Sequence, residues 1–174
     1  MRSMYYKSEA VAEHLTNSLM KILERDAIFV CIGTDRCTGD SLGPLIGTLI
    51  SRHDLHDHLV FGTIKKPVHA LTICDTIKEI QEKYADRQVI AIDAASGLFS
   101  GYIKIKGEPI MPGLGVGKTL PPVGDYSITA TTCSKTENIM YARLDMIFDM
   151  AEIIAGAITK VIAMESEESS EMSL

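Results

Sequence analysis

The chain of 174 residues contains no tryptophan, and aromatic residues make up only 6% of it. Because 46% of the residues are hydrophobic, a core can still be built from aliphatic side chains and methionine. No apolar run approaches the ~20 residues that cross a bilayer. The first residues also lack the apolar centre of a signal peptide. We therefore expect a cytoplasmic protein that does not associate with a membrane.

The chain has no excess of positive charge either. Its formal net charge is −6, and four glutamates in residues 165–174 supply −4 of that charge without a basic residue. The nearly neutral remainder gives no electrostatic reason to expect nucleic acid binding. Serine and glutamate dominate the last ten residues, so we expect an acidic disordered tail over 165–174. Residues 1–164 are predicted to form a single domain.

Sequence patterns that usually mark metal sites are weak here. The four cysteines, Cys31, Cys37, Cys74 and Cys133, form no Cys-x-x-Cys pair. Cys31 and Cys74 have apolar neighbours and are expected in the core. Cys37 lies in a loop near Asp40, where an unreactive thiol is favoured over a catalytic nucleophile. The histidine-rich segment 53–58 is expected to be the solvated end of a helix. We predict neither a metal nor a cofactor.

The order of secondary-structure patterns predicts an α/β protein. We expect a three-layer α/β/α sandwich with a mostly parallel sheet and right-handed crossovers. Strands are expected over residues 28–32, 59–62, 89–94, 101–106 and 127–132. Helices are expected over residues 8–24, 42–51, 72–83 and 136–160. The core face of the last helix is predicted to comprise Met140, Leu144, Ile147, Met150, Ala151 and Ile154.

Two aspartates follow the two most apolar predicted strands. Asp40 ends a loop that begins at Gly33, and Asp93 directly follows Ile92. Ligands bind outside the carboxyl ends of strands in open parallel sheets, so these aspartates predict one shared site. Two carboxyl groups in one cleft can act as general base and general acid. The alternatives are a helix cap for Asp40 and a turn for Asp93.

A glycine-rich loop runs from Pro112 to Lys118. It could cradle a phosphate, bind a peptide in extended form, or be a plain turn. The phosphate alternative is the weakest, because Gly113 is one residue too close to Lys118 for the usual spacing. Pro121 and Pro122 also prevent a helix from following directly.

Three segments in order resemble a known family. These segments are CIGTDRCTGDSLGP, VIAIDAASG and PGLGVGKTLPPVGDYSIT. Together they resemble the spore protein YyaC family, which is similar to the germination protease of endospore formers and, more distantly, to hydrogenase maturation endopeptidases. The resemblance covers roughly residues 28–132. It implies a phosphorylase/hydrolase-like fold and an atypical aspartic protease, with Asp40 and Asp93 at the positions of the catalytic pair.

The resemblance also implies a substrate and a setting. Small acid-soluble spore proteins would be cleaved in the cytoplasm of the sporulating cell or forespore. The residues expected to line the substrate groove are Gly113, Gly115, Gly117, Lys118 and Asp125. Two alternatives stay open: a binding module of the same fold that does not cleave, and a metal-assisted amidase using Asp40, Asp93 and Asp125. A homo-oligomer also stays open.

Overall fold

A computed structural model describes residues 3–112, 120–135 and 139–171, with no side chains considered after residue 167. The strands are β1 Met4–Tyr5, β2 Ile28–Cys31, β3 Leu59–Phe61, β4 Val89–Gly97, β5 Tyr102–Lys106 and β6 Tyr126–Ser134. The helices are α1 Val11–Leu19, α2 Leu42–Ile50, α3 Ile73–Lys83 and α4 Leu144–Glu171. Two 3₁₀ helices span Thr38–Asp40 and Ile139–Tyr141.

The six strands form one mixed sheet in the order β1-β5-β6-β4-β2-β3. The four strands β6, β4, β2 and β3 are parallel to one another, whereas β5 is antiparallel to β6, and β1 is antiparallel to β5. The carboxyl ends of β4, β2 and β3 therefore lie side by side. This arrangement confirms the predicted α/β fold with a mostly parallel sheet.

Strand β2 shows why the sheet is covered on both faces. All four of its residues are buried. Phe29 and Cys31 pack into the cluster that contains α1, α2 and α4, whereas Ile28 and Val30 pack into the cluster that contains α3. Alternate residues of a strand point to opposite faces, so a strand that is apolar throughout requires a helical layer on each side. The three predicted layers are present.

Helix α4 begins later than its apolar pattern predicts. Ile147, Met150, Ala151 and Ile154 are buried as expected. Met140 and Leu144 belong to the same predicted face but are exposed, so that part of the prediction is wrong. Met140 lies in a separate 3₁₀ helix over residues 139–141, and Leu144 is the first residue of α4, ahead of the buried residues of that helix.

The acidic tail also needs correction. Helix α4 continues to Glu171, whereas the composition predicts disorder from residue 165 onward. Val161 and Ile162 are buried one turn earlier, and Glu165 lies 3.3 Å from His58 across the fold. Glutamate is a good helix former, so a helix anchored by buried residues extends into the acidic segment. The structured domain therefore extends beyond the expected boundary at residue 164.

Smaller differences concern the ends of elements. Strand β4 continues to Gly97 and β6 to Ser134, because the two strands pair with each other beyond the limits of their apolar runs. Helix α1 spans Val11–Leu19 and is shorter than the expected range of 8–24. Cys74 is exposed on α3, so its expected place in the core is wrong. In the described ranges, no helix combines the length and apolarity needed to cross a membrane.

Candidate active site

The candidate site begins where β2 ends. The Ile32 N–H donates to the Ile92 carbonyl of β4 at 2.7 Å, and on the other side the Gly33 N–H donates to the Val68 carbonyl at 2.8 Å. Ile32 and Val68 also form an isolated parallel bridge that prolongs the pairing of β2 with β3. Residues that follow three neighbouring strands are thereby gathered at one edge of the sheet.

Gly33 allows the next loop to fold back onto this edge. Its φ is +139°, and a Cβ at this position would lie 2.0 Å from the carbonyl oxygen of Asp40. The Thr34 N–H donates to that same carbonyl at 3.0 Å, which closes the loop. A residue with a side chain would be strained and would collide with the returning chain. The loop therefore returns Asp40 to the end of β2.

Asp40 is not the cap of the following helix. Ser41 occupies the N-cap position of α2, and its Oγ donates to the Thr38 carbonyl at 2.6 Å. The capping alternative that the sequence leaves open for Asp40 is therefore not what the structure shows. The half-buried Asp40 carboxyl group interacts instead with the Thr34 N–H and with His69.

Asp93 lies on β4 at the first position after the pairing with β2 ends. Ile92 is the last β4 residue paired with β2, through Cys31, and Asp93 pairs only with Thr129 of β6. The side chain alternates with Ile92 and so points to the same face as Ala91, which packs in the α3 cluster. Asp93 is therefore half-buried within the sheet and not in a surface turn.

The two carboxyl groups interact electrostatically. Burial, followed by the charge of Asp40, raises the pKa of Asp93 to about 8, against a smaller opposite effect of the Ala94 N–H. Burial also raises the pKa of Asp40, which the Thr34 N–H and the nearby His69 lower. A raised pKa in a pair of close carboxyl groups means that the pair retains one proton near neutral pH.

His69 is a member of this site that the sequence analysis does not identify. It directly follows Val68, which forms the isolated parallel bridge with Ile32 just beyond the end of β2. Its Nδ1 accepts a hydrogen bond from the Leu71 N–H at 3.3 Å, and its main-chain carbonyl accepts from the N–H groups that open α3. The sequence carries no comparable signal for His69, because only the isolated bridge between Ile32 and Val68 brings this residue to the end of β2.

Asp125 is not brought to the pair. Its Oδ2 accepts from the Val89 N–H at 2.8 Å, and its own N–H donates to the Val89 carbonyl at 2.7 Å. Val89 is the first residue of β4, four positions before Asp93, a separation of about 13 Å along a strand. Asp125 therefore does not adjoin the aspartate pair, and its contact with a substrate stays a prediction. Its position likewise removes one ligand from the metal-assisted alternative.

The other predicted groove residues, Gly113, Gly115, Gly117 and Lys118, lie outside the described residues, so their role stays a prediction. Cys37 is half-buried at the start of the 3₁₀ helix that carries Asp40. Within the described part of the chain, no three histidine, cysteine or acidic side chains are grouped in a way that could hold a metal ion. The expected absence of a metal or cofactor also stays a prediction.

Comparisons with known proteins identify the family of this chain. A family model described as "Protein of unknown function (DUF1256)" matches residues 3–157. The uncharacterized protein YyaC of Bacillus subtilis (strain 168) is 37% identical over 151 residues, which cover 83% of this chain and 74% of that protein. The resemblance to YyaC that the three motifs indicate is thereby confirmed.

A solved structure is similar in fold. It is the NiFe hydrogenase maturation protease HycI from Thermococcus kodakarensis KOD1, which superposes with a TM-score of 0.59. The match covers 84% of this chain and 99% of that chain, at 16% sequence identity. At this identity, the likeness concerns the fold.

Proposed function

The chain belongs to the DUF1256 family, and on that premise we propose that it is a peptidase that hydrolyses a peptide bond with Asp40 and Asp93. The observation that supports this proposal most is the raised pKa of Asp93, to which the charge of Asp40 contributes. Strongly shifted pKa values of close acidic groups are typical of catalytic sites. The fold shared with a maturation protease is consistent with the same conclusion.

The pKa directions assign the two roles. Asp93 has its pKa at about 8 and keeps its proton at neutral pH. Asp40 is then the ionised member of the pair: burial raises its pKa, but the Thr34 N–H and the nearby His69 oppose that effect and favour the ionised form. Asp40 is therefore the general base, and Asp93 is the general acid.

The reaction begins with a water molecule between Asp40 and the scissile peptide carbonyl. Asp40 takes a proton from the water as the water oxygen forms a bond to the carbonyl carbon. Asp93 donates its proton to the carbonyl oxygen, so the tetrahedral intermediate is a neutral diol. Asp40 now carries the proton and Asp93 is ionised.

Collapse of the intermediate restores the starting protonation state. Asp40 gives its proton to the peptide nitrogen as the C–N bond breaks. Asp93 recovers a proton from one hydroxyl group as the carboxyl product forms. The net reaction consumes one water molecule and yields one carboxyl group and one amine, and it needs no redox partner.

The biological setting is proposed from the resemblance to YyaC and the germination protease. The substrate would be a spore protein, with the small acid-soluble spore proteins as the first candidates, in the cytoplasm of the sporulating cell or forespore. Gly113, Gly115, Gly117 and Lys118 would contact that substrate. The competing function is a module that binds such a protein without cleaving it.

The proposal can be tested by cleavage of a spore-protein mixture. Purified protein is incubated with an acid extract of spores, and new peptide termini are identified by mass spectrometry. We expect cleavage by the wild type and by Cys37→Ser, and none by Asp40→Asn or Asp93→Asn. Asp35→Asn is the matched control, because Asp35 is an exposed aspartate of the same loop.

Two results would change the assignment. Loss of cleavage in Cys37→Ser alone would indicate a thiol mechanism. No cleavage by the wild type, together with retention of a spore protein on the immobilised chain, would support the binding module.

A further inference from the structure

The side of β4 that faces β2 is open beyond the aspartate pair. Pairing with β2 ends at Ile92, whereas β4 continues as far as Gly97 while paired with β6. Among the residues that the structure describes, no strand or isolated bridge lies on the other side of residues 94–97. This open strand edge starts one residue after Asp93.

The directions of the main-chain groups follow from two hydrogen bonds. The Ile92 carbonyl accepts from Ile32 on the β2 side, and the Gly97 carbonyl accepts from Lys135, which follows β6. Successive residues of a strand point their main-chain groups to opposite sides. By this alternation Ala94 directs its C=O group, and Ser96 its N–H and C=O groups, to the open side. The Ala94 N–H donates to the Asp93 carboxyl group, and the register with β6 shifts between Ala95 and Ser96.

Exposed apolar side chains come directly after this strand in the chain. Leu98 and Phe99 follow Gly97, and 77% and 66% of their surfaces are exposed. Large exposed apolar side chains are typical of a surface that binds another apolar group.

We propose that the substrate binds as an extended strand alongside Ala94–Gly97 and that its apolar side chains contact Leu98 and Phe99. Unpaired main-chain groups on a strand edge are satisfied by an added strand of any sequence, and neighbouring side chains supply the selectivity. Because Asp93 is on the same strand, an added strand passes directly beside the pair. The substrate class is therefore an unfolded or flexible polypeptide segment with apolar residues.

This inference rests on the proposed peptidase site, but its test measures binding without cleavage. The probe is a phage-displayed library of random linear decapeptides, selected on full-length Asp40→Asn protein and on the wild type. The expected selection is rich in apolar residues. Hydrogen exchange in the presence of a selected synthetic peptide should slow in the segment from Asp93 to Gly97.

A backbone variant tests the hydrogen bonds themselves. Ser96→Pro removes an N–H that faces the open side and leaves the bonds to β6, whereas Ser96→Ala keeps the N–H. We expect about five- to tenfold weaker peptide binding by Ser96→Pro, equivalent to one lost main-chain hydrogen bond, and little change in Ser96→Ala. On the peptide, N-methylation of alternate residues should weaken binding, while methylation of the residues between them should not. This peptide series remains informative if Ser96→Pro fails to fold.

The outcomes separate this inference from the peptidase proposal. Protection of 93–97 with no cleavage of any substrate would retain the strand-binding edge and reject the enzyme. Cleavage accompanied by protection from exchange in another segment would reject substrate binding along residues 94–97 and retain the peptidase function. Cleavage with equal tolerance of N-methylation at every peptide position would lead to the same conclusion. Failure to select any peptide would also overturn the edge.

Discussion

Polar side chains have opposite effects on stability at the two edges of the parallel sheet. At the amino edge, the Asp125 carboxylate accepts the first N–H of β4, and the Gln88 side chain bridges the Ile22 carbonyl and the Glu24 N–H. At the carboxyl edge, burial raises the pKa of both Asp40 and Asp93. Polar groups at the first edge stabilise the fold. The pair at the second edge opposes folding as pH rises, which is typical of groups retained for chemistry.

Activity provides the largest expected contrast between the edges. Asp40→Asn and Asp93→Asn should each lower kcat by about 10²–10⁴-fold, because each removes one half of the proton transfer. The double variant should be little worse than either single variant, since the two groups act as one unit. Initial rates of substrate cleavage check this, and Asp125→Asn serves as the control from the amino edge. Additive losses would show that the aspartates act independently.

Stability against pH provides the next contrast. The folded protein keeps the Asp93 proton up to about pH 8, whereas the unfolded chain releases it near 3.8. Stability from this group is therefore complete below about pH 4 and falls by about 1.4 kcal/mol per pH unit up to about pH 8. Asp93→Asn lacks this decline. Urea unfolding from about pH 4 to about pH 8 should show that the free energy of unfolding of the variant rises relative to that of the wild type. Parallel plots of this free energy against pH would contradict the raised pKa.

A smaller effect is expected at the amino edge. Asp125→Ala removes the acceptor for the Val89 N–H and should lower the free energy of unfolding by about 1 kcal/mol. Asp125→Asn keeps an acceptor oxygen and should lose less. Both variants should retain cleavage activity. Loss of activity with unchanged stability would mean that Asp125 belongs to the functional site after all.

The smallest effect concerns the end of α4. Glu165 lies 3.3 Å from Nε2 of the buried His58, whose pKa is lowered mainly by burial. Glu165→Gln weakens this contact and should lower the free energy of unfolding by less than about 1 kcal/mol. The matched control is Glu167→Gln, because Glu167 is exposed on the same helix. Equal unfolding curves for the two variants would show that the contact contributes nothing measurable.

The central sheet is predictable from the sequence because its strands are buried on both faces. Ile28–Cys31 is apolar at every position, and such runs identify parallel strands without tertiary information. Strand β1, only two residues long, has no such signal and forms because Met4 and Tyr5 pair with β5. The extension of β4 beyond Ala94 likewise depends on pairing with β6.

The candidate site is predictable in part for the same reason. Asp93 lies in an apolar strand and Asp40 ends the loop that follows another, and this order in the sequence is enough to predict that they share one edge of the sheet. Asp125 lies away from the pair because this residue precedes its strand, and the amino and carboxyl ends of a strand lie at opposite edges of a parallel sheet. His69 escapes prediction because β3 is short, and only the bridge between Ile32 and Val68 brings the residue to the site.

The central claim is that Asp40 and Asp93 titrate as one pair. The most direct test is an NMR titration of ¹³C-labelled aspartate carboxyl groups in the wild type and in Asp40→Asn. In the wild type, the Asp93 carboxyl group should titrate at about pH 8, far from its ordinary value of 3.8. In Asp40→Asn, its pKa should fall, because the charge that helps to raise it is gone. An Asp93 resonance that titrates near pH 4, or one that Asp40→Asn leaves unchanged, would contradict the account.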